Sequence, residues 1–320
     1  MKFIFISFVL LFSVSVIAQK GKKATPKPTL QQADSLFLAR DWSAAIPVYE
    51  AVLKTEPNNS LAWNRLGFSY HNLSNYDKAL PNYLKSLEYK PTPPIETTVQ
   101  ARLARVYSVK KENEKAFQSL DRALQLGYAN LTELDTQKDF DNIRTDSRFA
   151  EAVKKANINA YPCLGNEQAR QFDFWIGEWD AYVRGTNTLA GKSKIEMASG
   201  GCMILENWTS VGSPFSGKSM NFVDPVSGKW KQIWVGSGGV NATEFLNGEY
   251  RDGAMRFECE TVNPQGVKQQ VHFYFFNEGP DQVRQFHEAS NDQGKPGQLR
   301  MTSRIKGRSR RSTDFIQICF

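Results

Sequence analysis

A histidine can carry a proton near neutral pH or ligate a metal, and this chain has three, at His71, His272 and His287. His272 and His287 fall on neighbouring predicted strands. With Glu206, Trp208, Asn221, Trp234, Tyr274 and Glu288, they are the polar or amphipathic residues of the second half that could line a ligand cavity. A surface or hydrogen-bonded histidine is the plain alternative for each. No Ser-His-Asp order, phosphate-cradling glycine loop or metal-ligand triad stands out, so the expectation is a protein without enzymatic activity, metal or cofactor. The four cysteines, Cys163, Cys202, Cys259 and Cys319, match no CxxC metal site. Cys163 lies in a linker and Cys202 begins a strand, which favours a bridge between them; closing a loop of that length contributes roughly 3 to 4 kcal/mol. Free, buried thiols are the alternative. Cys259 alternates with Met255 and Phe257 and reads as core.

The elements that must position these residues begin with composition. At 320 residues, 41% hydrophobic and 23% charged, the chain is long enough for two folded, soluble domains. Lys2, the apolar run Phe3 to Ile17 and then Ala18 have the charged start, hydrophobic middle and small-residue exit of a secretory signal peptide at 1–18. An uncleaved anchor is the alternative, but the run is about 15 residues where a span needs about 20. The expected location is therefore exported, periplasmic or extracellular, with no membrane span after cleavage, where disulfides persist. Residues 19–28 read as a flexible leader. Residues 296–320 carry five of the seven net positive charges, and the remainder without Lys2 is close to neutral, so the charge does not argue for nucleic acid.

An internal period organises residues 29–155. Trp42, Ala45, Tyr49 and Pro57 recur 34 positions later as Tyr76, Ala79, Tyr83 and Pro91. The second unit is fullest, adding Trp63, Leu66, Gly67 and Tyr70. A third unit with Leu103, Ala104, Tyr107, Ala116, Leu120 and Ala123 is displaced by three further residues, and a segment through Lys155 reads as a capping helix. The pattern resembles the tetratricopeptide family. That resemblance implies an α-solenoid with a groove for a protein partner. Its candidates here are Asn64, Phe68, His71 and Asn72, then Ala101, Arg105 and Ser108, each equally readable as a solvated or inter-repeat position. Leu30 and Asp34 stand where the family's peptide-carboxylate clamp would need basic and asparagine side chains, so that clamp is absent.

After a linker at 156–170, alternation and Gly-, Pro- and Asn-rich turns predict nine strands between 178 and 290, which suggests an up-and-down barrel. Phe172 to Ile176 is apolar on both strand faces and reads as a helical turn plugging the barrel end. QFDFWIGEWD, Gly201-Cys202 with Glu206-Asn207-Trp208, Asn221-Phe222 with Asp224-Pro225, Gly228-Lys229-Trp230 and Val283-Arg284-Gln285 together resemble a family of calycin-like (lipocalin-like) domains in exported bacterial proteins. The match covers 171–295. It implies a barrel with Trp179 packed under Arg284, and little about activity; the expectation for the barrel is that it binds a small apolar ligand or a second protein. A haem, known in some related calycins, would need His272 or His287 to face the lumen.

The fold class is thus multidomain α plus β: a tetratricopeptide α-solenoid followed by an antiparallel calycin-like β-barrel. The tail from Pro296 departs from the family pattern. A basic interaction tail is one reading. A one-base deletion after Lys295 is another, since restoring a base in a suitable codon spelling yields a strand-like Thr-Trp-Thr-Thr-Ala-Tyr and then a stop. A shifted tail would leave the barrel without its tenth strand.

Overall fold

The computed structural model describes residues 28–183, 185–262, 266, 268–290 and 301–307. The stretch expected to be a signal peptide, the expected leader up to residue 27 and most of the tail lie outside the described residues. No helix among the described residues is long and apolar enough to cross a membrane.

The chain divides into two compact units between Ile95 and Glu96. In the first, α1 (Leu30–Leu38), α2 (Trp42–Thr55), α3 (Ser60–Asn72) and α4 (Tyr76–Glu88) form two helical hairpins. The period is visible in the backbone. Arg40 and Ser74, 34 residues apart, both take positive φ at the hairpin turn, and Lys111 repeats this 37 residues on, as the displaced third unit requires. Asp41 and Asn75 then cap the following helices, accepting from the amides of Ala44 and Lys78 at 3.1 and 3.2 Å. Gly67 lets α3 and α4 touch: a Cβ there would lie 2.8 Å from the Tyr83 ring.

The second unit begins with α5 (Pro93–Val109, most of which lies in it), α6 (Asn113–Gln125), α7 (Leu131–Thr136) and α8 (Ser147–Ala160). Ala101, Ala104, Leu120, Leu134, Phe140 and Phe149 share one core. Helix α8 starts 34 residues after α6 and is tied to it at that spacing by Arg148 with Glu114 and Lys155 with Asp121. The capping helix thus continues the repeat geometry. The stretch read as a linker is folded: α8 runs to Ala160, and 3-10 turns occupy Pro162–Gly165 and Gln168–Arg170. Cys163 and Cys202 are joined by a disulfide, with Cα atoms 5.0 Å apart. Residues 96–320 together form the second compact unit.

Strands β1 (Gly177–Val183), β2 (Leu189–Ala198), β3 (Met203–Ser210), β4 (Ser216–Val223), β5 (Trp230–Gly236), β6 (Thr243–Arg251), β7 (Ala254–Val262), β8 (Lys268–Asn277) and β9 (Gln282–Ser290) pair antiparallel in chain order. The backbone of β10 (Met301–Gly307) pairs with β9 and β1 and closes the ring. Part of the tail thus supplies a tenth strand, residues 301–307 extending along both free edges. Asp173–Trp175 forms the short turn at the barrel end. There Phe172 and Trp175 stack at 4.9 Å, and Phe275 meets them at 5.0 and 4.6 Å. Trp179 is buried, and its indole donates to the Trp175 carbonyl at 2.8 Å.

Candidate functional site

Beyond the aromatic plug, the barrel interior has two unlike walls. On β2 the order Lys192-Ser193-Lys194-Ile195 puts lysines in solvent and Ser193 inside. The same alternation turns Glu206 on β3, Ser219 and Asn221 on β4, and Gln232 on β5 inward. Glu206, 5% exposed, accepts from the hydroxyls of Ser193 and Ser219 at 2.8 and 2.9 Å. The Ser219 hydroxyl oxygen in turn accepts from the amides of Asn221 at 3.0 Å and Gln232 at 3.3 Å. Asn221 also donates to the Ile204 carbonyl at 3.1 Å. Burial raises the Glu206 carboxyl above its ordinary range, opposed by the two serine hydroxyls. Asn221 Oδ1 and Gln232 Oε1 are buried with no hydrogen-bond partner among the described residues.

The facing wall is aromatic. Gln232 pairs in register with Phe245, whose ring lies 5.0 Å from Phe273. His287 meets Phe273 edge-on at 3.9 Å, and burial pulls its pKa down to about 4. Burial likewise pushes the Cys259 thiol up to about 11. Trp208 and Trp234 lie across glycines of the preceding strands: a Cβ at Gly191 or Gly217 would come within 2.4 Å of the respective indole. At the plug end Trp179, Trp230 and Val283 are closed off, whereas the inward Trp208, Trp234, His287 and Ala289 are only half-buried.

Of the lumen residues expected from sequence, Glu206, Asn221, Trp208, Trp234 and His287 are brought together. Three others are corrected. His272, Tyr274 and Glu288 face outward, since Val271, Phe273 and Phe275 take the inner positions of β8 and His287 that of β9. His272 lies 4.0 Å from Glu258 on the outer surface. The pairing of Trp179 with Arg284 is also corrected. Val283 is the inward neighbour on β9, so Arg284 points out, over the Phe276 ring at 3.8 Å and against Glu278 at 2.6 Å. Ser193, Ser219, Gln232, Phe245 and Phe273 were not anticipated. The lysines flanking Ser193 were a usable signal; Met220 and Ile233, which point outward beside Ser219 and Gln232, disguised the other two.

A haem does not fit these residues. His272 is outside, and the Phe273 ring occupies the space beside the His287 imidazole. Among the described residues no group of three or more His, Cys, Asp or Glu side chains could hold a metal.

In the repeats the expected groove residues are largely structural. Asn64 and His71 are 3% and 4% exposed, and His71 shares a 3.1 Å hydrogen bond with the Tyr83 hydroxyl. Phe68 packs between Phe37 and Trp42, and exposed Asn72 donates to the Phe68 carbonyl of its own helix. Ala101 and Ser108 are buried. Asp34 is held by Tyr49 and Arg65. Arg105 is engaged by Glu133 at 2.8 Å and Asp139 at 2.7 Å. An open groove of about 400 Å³ lies instead along α6 and α8, lined by Phe117, Asp121, Ser147, Arg148, Glu151 and Lys155.

Residues 60–93 match the family model for the tetratricopeptide repeat. The DnaJ protein P58IPK homolog B of Oryza sativa subsp. japonica is 27% identical over 130 residues, 40% of this chain and 27% of that protein. The peroxisomal targeting signal receptor of Candida glabrata is 40% identical over 58 residues, 18% of this chain and 10% of that protein. The chain thus spans only about a quarter and a tenth of the curated relatives it matches. The solved structure of MamA, at 15% identity, covers 42% of this chain and 97% of its own, with a TM-score of 0.21.

Proposed function

We propose that this tetratricopeptide-repeat protein is an exported, non-catalytic adaptor whose helical hairpins hold a protein partner and whose calycin-like barrel holds a small ligand with an apolar body. Tetratricopeptide repeats bind protein partners, and the match over 60–93, with its turns repeating at Arg40, Ser74 and Lys111, is the observation that carries the reading. The α6 and α8 groove, with Phe117 at its base and charges of both signs at its rim, supports contact with a peptide segment. Export is supported by the Cys163 to Cys202 bridge, which needs an oxidising compartment to persist. Binding is favoured over catalysis in the barrel because both oxygens of Glu206 are taken by serine hydroxyls and His287 is packed on Phe273.

Cross-linking of the full chain tests the adaptor reading. With a photoreactive residue replacing Glu151 at the groove rim, one cell-envelope protein should be captured reproducibly. Arg148→Glu, which reverses a rim charge, should reduce that capture. Equal, diffuse labelling of many proteins in both forms would refute a specific partner at this surface.

A further inference from the structure

We infer that the barrel end opposite the plug docks on the surface of a lipid bilayer, seating the tips of the β3–β4 and β5–β6 loops among headgroups and upper acyl chains. The inference goes beyond the adaptor reading and needs no occupant in the lumen.

Topology puts these two loops together. β1 leaves the plug at Gly177 and successive strands alternate in direction, so the connections 211–215 and 237–242 both lie at the far end. Their tips are apolar and unshielded: Val240 is 100% exposed, Val211 50% and Phe215 36%. The loops are also fastened to each other. Ser237 donates its amide to the Ser216 carbonyl at 2.8 Å, and Ser216 donates its own to the Ser237 hydroxyl at 2.9 Å. Phe215 lies against the neighbouring hairpin, where glycines leave room: a Cβ at Gly236 or Gly238 would come within 2.8 or 3.2 Å of its ring. The apolar tips are therefore held out by the fold instead of collapsing onto the barrel.

Charge selects the occupant. Residues 209–217 and 235–243 carry no charged side chain, in a chain that is 23% charged. Protein interfaces take their anchors chiefly from Trp, Tyr and Arg and their register from complementary charge, and these tips supply none of them. A bilayer matches a gradient instead: apolar groups deepest, indoles at the interface, cations at the level of the phosphates. The barrel end has that order. Behind the tips stand the half-buried Trp208 and Trp234, the Trp208 indole donating to the Ser210 hydroxyl at 3.1 Å. Exposed Lys218 follows on the outer face, in register with Asn207 and Val235, with a stem long enough to carry its ammonium toward the phosphates. A protruding tip such as Val240 enters a fluid layer without requiring a matching pocket.

Fluorophore-labelled full chains with phosphatidylethanolamine–phosphatidylglycerol vesicles test this. In a Cys319→Ser background, where the free Cys259 is buried, an environment-sensitive fluorophore is attached at Val240→Cys or, as the reference at the plug end, at Val226→Cys, another exposed position. Vesicles should shift the emission at position 240 to the blue and leave position 226 unchanged, which separates docking by these loops from binding through the apolar run Phe3 to Ile17. Adding Val211→Asp on the other loop should raise the vesicle concentration at half-shift at least about tenfold, because a side chain that leaves water is replaced by a charged one. If that variant does not melt as wild type, the two label positions decide. Emission at position 240 unchanged by vesicles, an equal shift at position 226, or an unchanged midpoint in folded Val211→Asp would overturn the inference. So would a blue shift without vesicles, either on raising the protein concentration or on adding envelope proteins, since these assign the loops to a second copy or to a protein partner.

Discussion

Replacing Cys163 and Cys202 together by serine should cost the second unit about 4 kcal/mol. The two residues are 39 apart in sequence, and chain-entropy arithmetic for a loop of that length gives roughly 13 cal/mol/K, or about 4 kcal/mol at 25 °C. For a folded unit of this size each kcal/mol moves the melting temperature by about 2–4 °C, so the expected drop is roughly 8–16 °C. Five of the seven tryptophans, Trp175, Trp179, Trp208, Trp230 and Trp234, lie in the barrel region, so tryptophan emission during urea unfolding reports mainly on it. Reduced wild type and Cys163→Ser/Cys202→Ser should coincide, both well below oxidised wild type. The turn at Pro162–Gly165 is part of the folded unit, so the bridge closes a loop within it. A loss below about 1 kcal/mol would show that the bridge closes no loop that matters, or does not form.

Truncating the plug by Trp175→Ala should cost about 3–5 kcal/mol by urea titration, because a fully buried indole against Phe172 and Phe275 is lost. Arg105→Met leaves Glu133 and Asp139 partly buried without their cation, and a loss of about 3 kcal/mol or more is expected in the same assay. Two groups should give opposite pH dependence. His287 is held to about 4, whereas the unfolded chain takes up the proton near 6.5; its contribution is fully present above pH 6.5 and is lost on acidification toward 4, so His287→Leu should flatten melting temperature against pH in that window. Asp173 is raised by burial to about 6, against Arg170, so the folded state holds a proton that the unfolded chain releases near 3.8. Stability from Asp173 therefore falls as pH rises from about 4 to 6, and Asp173→Asn should raise the melting temperature at pH 7.5 but not at pH 4.

The helical half was legible because its signal is covalent spacing. Small residues and turns recur at 34, then 37, and Gly67 sits where only a hydrogen fits against Tyr83. The ionic tie of Arg105 to Asp139 lies at the same 34-residue spacing and was readable in principle; assigning Arg105 to the groove overlooked it. Strand positions were legible too, since polar turns bound each one. Sidedness failed where both faces of a strand are aromatic. In Val271-His272-Phe273-Tyr274-Phe275-Phe276 no alternation of hydrophobicity distinguishes inside from outside, and the outer aromatics are covered by Arg256 and Arg284 lying over Tyr274 and Phe276. The acceptor cluster was half visible. Glu206 and Asn221 stand out as polar residues in apolar strands, but Ser219, the hydroxyl that joins them to Gln232, is an ordinary strand residue until register places it opposite Glu206.

Native mass spectrometry of the full chain, purified without added ligand, tests the proposed ligand-holding role of the barrel most directly. The account predicts a one-to-one adduct of a small molecule with an apolar body on wild type. A folded wild type that carries no adduct would contradict it.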